Sequence, residues 1–223
     1  MKTAAIIASG GQGKRMGPAG PKQFIEVNGK PILAYALSTF NSCADVNDII
    51  LTAPAGYEST TSGIARAYGI DKVSGVITGG GSRQETVYNA LRAARGADII
   101  LIHDAARPFV TKDEISRTIK TAEIYGACVL GVPVKDTIKI CDSGGFVIST
   151  PPRDALWQIQ TPQAFSRDII IDAHESARSG GYTGTDDAEL VEKSGRPVRI
   201  IMGNYANIKI TTMEDLLFFQ KSG

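Results

Sequence analysis

The stretch Ser9-Gly10-Gly11-Gln12-Gly13-Lys14-Arg15-Met16-Gly17 directly follows the first apolar run of the chain. Glycines there let backbone N–H groups close around phosphate oxygens that side chains would otherwise block. Lys14, Arg15 and, a little further on, Lys22 bring positive charge to the same place. Two familiar glycine motifs are excluded. Counting GxGxxG from Gly11 puts Met16 where the third glycine belongs, and Gly13-Lys14 is followed by Arg15 rather than Ser or Thr, so this is not a P-loop. Lys22, in Pro21-Lys22-Gln23-Phe24, reads singly as a surface lysine, but the prolines near it restrict the backbone and help aim its ammonium group at the loop.

His103-Asp104-Ala105-Ala106-Arg107-Pro108 ends the most apolar run, and in an open α/β sheet ligands bind outside such strand ends. A carboxylate and a guanidinium so spaced suit a hydroxylated anion. They equally suit an ion pair that orders the loop. Three more segments carry polar groups worth following: Gln160-Thr161-Pro162-Gln163, Gly184-Thr185-Asp186-Asp187-Ala188-Glu189, and Asn207-Ile208-Lys209-Ile210-Thr211-Thr212. Thr185 ahead of an acidic turn predicts a helix N-cap. The paired aspartates also suit a metal, with capping the favoured reading. Asn207–Thr212 reads as a short strand leading to a capped final helix.

The elements that must position these groups alternate in type. Strands are predicted at Thr3–Ser9, Asp48–Thr52, Val73–Ile77, Asp98–His103, Ala127–Val132 and Val198–Met202, and helices near Pro31–Phe40, Tyr57–Tyr68, Arg83–Ala94 and Lys112–Tyr125. That alternation predicts an α/β fold, a mostly parallel twisted sheet flanked by helices. It falters between about 135 and 160. There Asp136–Ile140, a Ser143-Gly144-Gly145 turn and Phe146–Thr150 read as an inserted β-hairpin. A lone ribbon is marginal in water, so it packs on a second subunit or back on its own domain. The whole chain, 1–223, reads as one domain carrying this arm.

A near-neutral balance of 24 Lys plus Arg against 23 Asp plus Glu gives no basic footprint for nucleic acid. Cys43, Cys128 and Cys141 are dispersed and odd in number, which argues against a disulfide framework or a zinc site. With no signal-peptide pattern and no long apolar span, the expectation is a cytoplasmic protein without a membrane role.

Taken in order, these motifs resemble the 2-C-methyl-D-erythritol 4-phosphate cytidylyltransferases of the non-mevalonate isoprenoid pathway. The resemblance runs from Ala5 to about Leu216 and rests on the glycine loop with Arg15-Met16-Gly17, Pro21-Lys22-Gln23, Gly79-Gly80 with Arg83, and His103–Pro108. Asp136-Thr137-Ile138-Lys139, Thr161-Pro162-Gln163, Thr185–Ala188 and Asn207-Ile208-Lys209 complete it. It implies a Rossmann-like nucleotidyltransferase fold and a homodimer whose arms reach into each other's sites. It implies catalysis by Arg15, Lys22 and Lys209, and a CTP site made by Gly10, Gly11, Gly13, Lys14, Arg15, Lys22, Gly80, Gly81, Thr86 and Ala105. Asp104, Arg107, Thr137, Arg153, Thr161 and Lys209 would hold methylerythritol phosphate, with Thr137 and Arg153 supplied by the neighbouring subunit. Mg2+ would ride on the CTP phosphates, with no dedicated protein ligands.

The chain departs from that family at Ser9-Gly10-Gly11, where Ala-Ala-Gly is usual, at Gly81, where an acidic or bulkier residue is common, and at Thr86, usually serine. Gly81 offers only backbone atoms, so base preference is the property this departure bears on. The rival readings are a ribitol 5-phosphate cytidylyltransferase, which shares fold and CTP site, and a catalytically silent nucleotide-binding module. An NAD-dependent oxidoreductase is disfavoured by the incomplete dinucleotide fingerprint.

Overall fold

The structure, a computed structural model, describes residues 1–11 and 20–222 of the chain, except the side chains of 213, 218 and 220–222. Its elements in chain order are β1 (Thr3–Ala8), β2 (Glu26–Val27), β3 (Lys30–Pro31), α1 (Ile32–Asn41), β4 (Asp48–Ala53), α2 (Glu58–Ala67), β5 (Val73–Thr78) and α3 (Arg83–Leu91). Next come β6 (Ile99–Asp104), α4 (Lys112–Tyr125), β7 (Ala127–Pro133), β8 (Ile140–Cys141), β9 (Val147–Ser149) and β10 (Trp157–Ser166). The chain closes with α5 (Arg167–Ser179), α6 (Asp187–Lys193), β11 (Arg199–Met202) and α7 (Met213–Ser222).

Strand side chains alternate between faces, and the two sets on β1 enter different clusters. Ala5 and Ile7 join one buried cluster with α1, α2 and α4, through Leu33, Leu37, Phe40, Ala65, Ile115 and Ile119. Ala4 and Ile6 join another with α3, α5 and α6, through Val87, Leu91, Ile170, Ala173 and Leu190. The sheet therefore needs both faces covered, which explains its near-continuous apolar strands. All six residues of β6 are buried, as its sequence predicts.

The seven strands lie in the order β11-β7-β10-β6-β1-β4-β5. All pairs are parallel except those of β10, which runs antiparallel to both β6 and β7. The chain builds outward from β1 to β4 and β5, then crosses back to set β6 on the other side of β1. The order of winding reverses between the parallel neighbours β1 and β6, and that is where open α/β sheets place their ligands.

Two helix ends that shape the core obey simple capping rules. Thr111 and Glu114 form a reciprocal capping box on α4. Gly126 ends the same helix at φ 81°, a left-handed conformation that favours glycine.

The sequence places the six predicted strands correctly to within about a residue, but it leaves β10 and α5 unpredicted and errs at three further places. The arm, expected to run to Gln160, stops earlier: β10 begins at Trp157 and continues to Ser166 inside the sheet. Asn207–Thr212, expected as a strand, is an irregular segment: Ile210 N–H bonds to the Ala106 carbonyl and Asn207 Nδ2 to the Thr161 carbonyl, so its backbone and side-chain bonds go sideways to two loops. The N-cap of α6 is Asp186, whose carboxylate accepts from Glu189 N–H, while Thr185 precedes it and bonds the Glu189 carboxylate.

The hairpin is present in shortened form as β8 and β9. Asp142 Oδ1 accepts from Gly144 and Phe146 N–H to close its turn. It does not fold back on its own domain: residues 137–150 are exposed, Phe146 by 76% and Ile148 by 65%. All three cysteines are free thiols. Among the described residues no helix is long and apolar enough to cross a membrane.

Candidate active site

A cleft of about 660 Å³ opens at the C-terminal ends of β1, β4, β5 and β6. The first wall is the turn after β1. Ser9 N–H donates to Thr52 Oγ1 at 2.8 Å, and Gln23 Nε2 donates to the carbonyls of Ser9 and Gly11 at 2.5 and 3.1 Å. Gln23 is itself buried, so a side chain fourteen residues along holds the glycine turn from behind. The second wall is Gly79-Gly80-Gly81, after β5. A Cβ on Gly10 would stand 2.9 Å from Thr86 Cγ2 and 3.0 Å from the Gly79 Cα. The two walls thus meet so closely at their base that only glycine fits at Gly10.

The third wall is charged. Asp104, at the end of β6, accepts from Arg83 Nε at 3.0 Å and from Lys209 Nζ at 2.6 Å. Burial alone would raise the Asp104 carboxyl, but Arg83 and Lys209 outweigh it and hold it below the usual carboxylate range. Arg83 also reaches Asp187 at 2.7 Å, and Asp187 takes a further bond from His174 Nε2 at 3.1 Å. Burial opposes the Arg83 charge, and the two aspartates outweigh it. Lys22 also lines the cleft, its Nζ donating to the Ile210 carbonyl at 2.7 Å. The irregular segment 207–212 therefore does two things: it carries Lys209 to Asp104 and anchors Lys22.

Behind this wall the hydrogen bonds determine one tautomer. His103 Nε2 faces the Arg107 carbonyl, which can only accept, so Nε2 carries the proton. Nδ1 is then an acceptor, and the Thr161 hydroxyl donates to it while accepting from Asp104 N–H at 3.0 Å. Burial pushes the His103 imidazole down to about 4, against the opposing pull of Asp104. Unfolded His103 binds a proton near 6.5 and the folded one near 4, so its contribution to stability is full above pH 6.5 and is lost as pH falls to 4. The expected loss is roughly 3 kcal/mol. Urea unfolding of the native protein and of His103→Gln across that range checks it; equal slopes would remove His103 as the cause.

Lys22, Gly10, Gly11, Gly80, Gly81, Thr86, Asp104, Ala105 and Lys209 all line this one cleft. Thr161 and Arg107 do not line it. Thr161 is buried with its hydroxyl engaged as above, and Arg107 donates to the Asn207 and Ile159 carbonyls at 2.6 and 3.4 Å. The alternative of an Asp104–Arg107 ion pair is corrected accordingly: the partners of Asp104 are Arg83 and Lys209. Thr137 and Arg153 are exposed at the two ends of the arm, away from the cleft of their own chain. Gly13, Lys14 and Arg15 lie outside the described residues. Sequence reasoning missed Arg83, Gln23 and His174 as parts of the site. Arg83 and Gln23 each carried one signal, their places after Gly79-Gly80 and in Pro21-Lys22-Gln23; His174 carried none.

No group of three or more His, Cys, Asp or Glu side chains able to hold a metal occurs among the described residues. The aspartates nearest the cleft are committed: Asp104 and Asp187 to cations, Asp186 to the Glu189 N–H and Gln163. Such a donor set fits a hard cation that arrives on phosphate oxygens and keeps its waters.

Fold and cleft together are those of the nucleotidyltransferase-like α/β proteins. A family model described as "IspD: 2-C-methyl-D-erythritol 4-phosphate cytidylyltransferase" matches residues 3–221, and the chain belongs to that family. The relative of that name from Alkaliphilus oremlandii is 46% identical over 218 residues, 97% of this chain and 92% of that one. The one from Geobacillus thermodenitrificans is 47% identical over 218 residues, 98% of this chain and 95% of its own. Among solved structures, 4-diphosphocytidyl-2C-methyl-D-erythritol synthase from Anaerococcus prevotii superposes with a TM-score of 0.88 at 32% identity, covering 99% of this chain and 95% of that chain.

Proposed function

We propose that the chain transfers the cytidylyl group of CTP to 2-C-methyl-D-erythritol 4-phosphate, forming 4-diphosphocytidyl-2-C-methyl-D-erythritol and pyrophosphate. The observation that carries this reading is the convergence of Lys22, Lys209 and the Arg83–Asp104 pair on a glycine-walled cleft at the switch point of the sheet. An acceptor phosphate oxygen attacks the CTP α-phosphorus in line. One P–O bond forms, and the α–β bridging P–O bond breaks to release pyrophosphate. The attacking oxygen is already anionic near neutral pH, so no strong general base is needed. Repulsion between two anions is the obstacle, and fixed cations relieve it.

In this reading Arg15, Lys22 and Lys209 neutralise the transition state. Lys14 and the backbone of Gly10, Gly11 and Gly13 cradle the triphosphate. Gly80, Gly81 and Thr86 form the base pocket, and Ala105 meets the ribose through its backbone. Asp104 holds the acceptor's hydroxyls, with Thr161 supporting it from behind and Arg107 tying the 207–212 segment to β10. Mg2+ bound on the triphosphate would supply further neutralisation of its oxygens. The cytoplasm is the proposed compartment.

The arm completes the site in a homodimer. Exposed Ile138, Ile140, Phe146, Val147 and Ile148 give it an apolar surface to cover, and Thr137 and Arg153 on it would then contact the acceptor phosphate in the partner's cleft. Sedimentation at micromolar concentration should show a dimer. Mixing Arg153→Ala with Lys209→Ala chains should restore roughly a quarter of wild-type turnover, because half the dimers are mixed and one of their two sites is intact. Mixtures as inactive as the separate variants would end the shared-site reading.

The test of function is pyrophosphate release from CTP and Mg2+, run in parallel on methylerythritol 4-phosphate and ribitol 5-phosphate. Strong preference for the first is expected. Preference for ribitol phosphate would replace the acceptor, and release with neither would leave a nucleotide-binding module.

A further inference from the structure

The arm leaves the sheet on two legs that hold each other poorly. Its last pairing inside the sheet is Trp157 with Pro133, and its own ladder starts only at Ile140 with Ser149. Residues 134–139 and 150–156, between those pairs, belong to no strand. A backbone bond joins the legs at the root, from Val134 N–H to the Leu156 carbonyl at 3.0 Å, and Arg153 Nη1 donates to the Lys135 carbonyl at 3.3 Å. Pro133 has no N–H to give the ladder at the point of departure. A two-stranded ribbon tethered in this way needs a brace to keep one direction.

Tyr205 braces it from outside the arm. Its hydroxyl donates to the Pro133 carbonyl at 2.8 Å, and the Lys135 ammonium sits 3.6 Å from its ring centroid. Both contacts fall where the first leg leaves β7, although the side chain is 41% exposed. The ring stands on a fixed turn. The Asn204 carbonyl accepts from Gln160 Nε2 at 2.8 Å and from Asn207 N–H at 2.9 Å, while Asn204 Oδ1 accepts from Ala206 N–H at 2.9 Å. Gln160 is buried, and a Cβ on Gly203 would collide with its Oε1, so glycine there lets Gln160 reach the turn. The same segment runs on to Lys209 in the chain's own cleft. Tyr205 thus stands between two targets, and its hydroxyl and ring both meet the arm.

We propose that Tyr205 is a positioning residue for the partner's site: it sets the direction in which the arm leaves the sheet, and so where Thr137 and Arg153 are delivered. Thr137 follows the braced Lys135 by two residues, and Arg153 bonds the Lys135 carbonyl, so one brace governs both groups. The inference rests on the proposed homodimer and reaction. It adds a residue that touches no substrate and acts only across the interface. Losing it weakens the contacts to the acceptor's phosphate and leaves those to CTP alone.

Tyr205→Phe removes the hydroxyl bond and keeps the ring, and Tyr205→Leu removes both. The side chain is exposed on a turn, so both variants should fold, as urea unfolding checks. KM for methylerythritol 4-phosphate should rise about fivefold in Tyr205→Phe and about tenfold in Tyr205→Leu, the worth of one hydrogen bond and of that bond plus an exposed cation–π contact. KM for CTP should not move; an equal rise in both would overturn the inference. Tyr205→Leu chains are then mixed with equal amounts of Lys209→Ala chains, which turn over poorly but carry a native arm. Half of the Tyr205→Leu chains meet that arm, so below KM for the acceptor their turnover should rise about fivefold. No rise, where Arg153→Ala is rescued by the same Lys209→Ala chains, would put the effect in the chain's own cleft and overturn the inference. Rescue of neither variant would overturn the shared site and this inference with it. Hydrogen exchange at Val134 reads the brace apart from turnover. It should quicken in Tyr205→Leu, and an unchanged rate would overturn the inference whatever the kinetics. A native chain that releases no pyrophosphate would count against the proposed reaction, and the exchange rate would then decide the brace.

Discussion

Lys22→Ala should lower kcat by about 10²–10³-fold, the usual effect of removing one group aimed at charge that builds in a transition state. The protein should lose little stability with it. Lys22 is half-buried, and one bond of its ammonium ends on the Ile210 carbonyl of an irregular segment. That segment keeps its bonds from Ile210 N–H to Ala106 and from Asn207 to Thr161. Loss of that one bond is expected to cost about 1 kcal/mol in folding. Single-turnover rates at saturating CTP, set beside urea unfolding, separate the two effects. The proposed chemistry asks for this split. With an acceptor that is already an anion, no proton transfer limits the rate, and the residues that matter are fixed cations. Lys22→Arg should recover part of the loss, since charge returns without the compact ammonium geometry. A variant that turns over like wild type would remove Lys22 from the reaction.

What the sequence made legible was what depends on neighbours in the chain. The strands β1, β4, β6 and β7 were readable because both faces are buried and their apolar runs are near-continuous. The motifs at Ser9–Gly11, Gly79-Gly80 and His103–Arg107 could be placed near strand ends, and Ser9–Gly11, Gly79-Gly80 and Asp104–Ala106 do meet at one cleft. β10 escaped because it violates strand rules inside the sheet. Gln160, Thr161 and Gln163 are buried polar residues, and Pro162 sits in its middle where the ladder shifts register. Those side chains are polar because they hold other loops: Gln160 bonds Asn204, Thr161 bonds His103 and Asp104, and Gln163 bonds Asp186.

The same limit explains Asp104. Its spacing from Arg107 suggested a local pair, but both residues were claimed by distant partners that no local spacing reveals. Arg83 comes from another helix, and Lys209 from the far end of the chain. The charge pattern of the site belongs to the topology: the return of β6 to the side of β1 brings Asp104 beside the start of α3.

Arg83 is where that topology carries the greatest structural load, and Arg83→Leu should destabilise the protein by about 3–5 kcal/mol, the usual penalty for removing one partner of a buried ion pair. The guanidinium is 29% exposed, while Asp187 is only 1% exposed and Asp104 10%. Without it, among the described residues Asp187 keeps His174 and Asp104 keeps Lys209 as side-chain partners. Burial, which already works against both carboxylates, would then be opposed by fewer cations. The pH dependence gives the loss a signature. Both folded carboxyls are held below their ordinary value of 3.8, so the stability they contribute is present above that pH and is lost as pH falls through the lower folded value. The gap between wild type and variant should therefore be widest near neutrality and narrow below about pH 4, as protonation removes the charges that Arg83 serves. Arg83→Lys should fall between the two, since one ammonium cannot reproduce the separate Nε and Nη1 bonds to the two aspartates. Urea unfolding at several pH values decides it. A loss under about 1 kcal/mol, or one independent of pH, would show that the two aspartates are satisfied without the guanidinium.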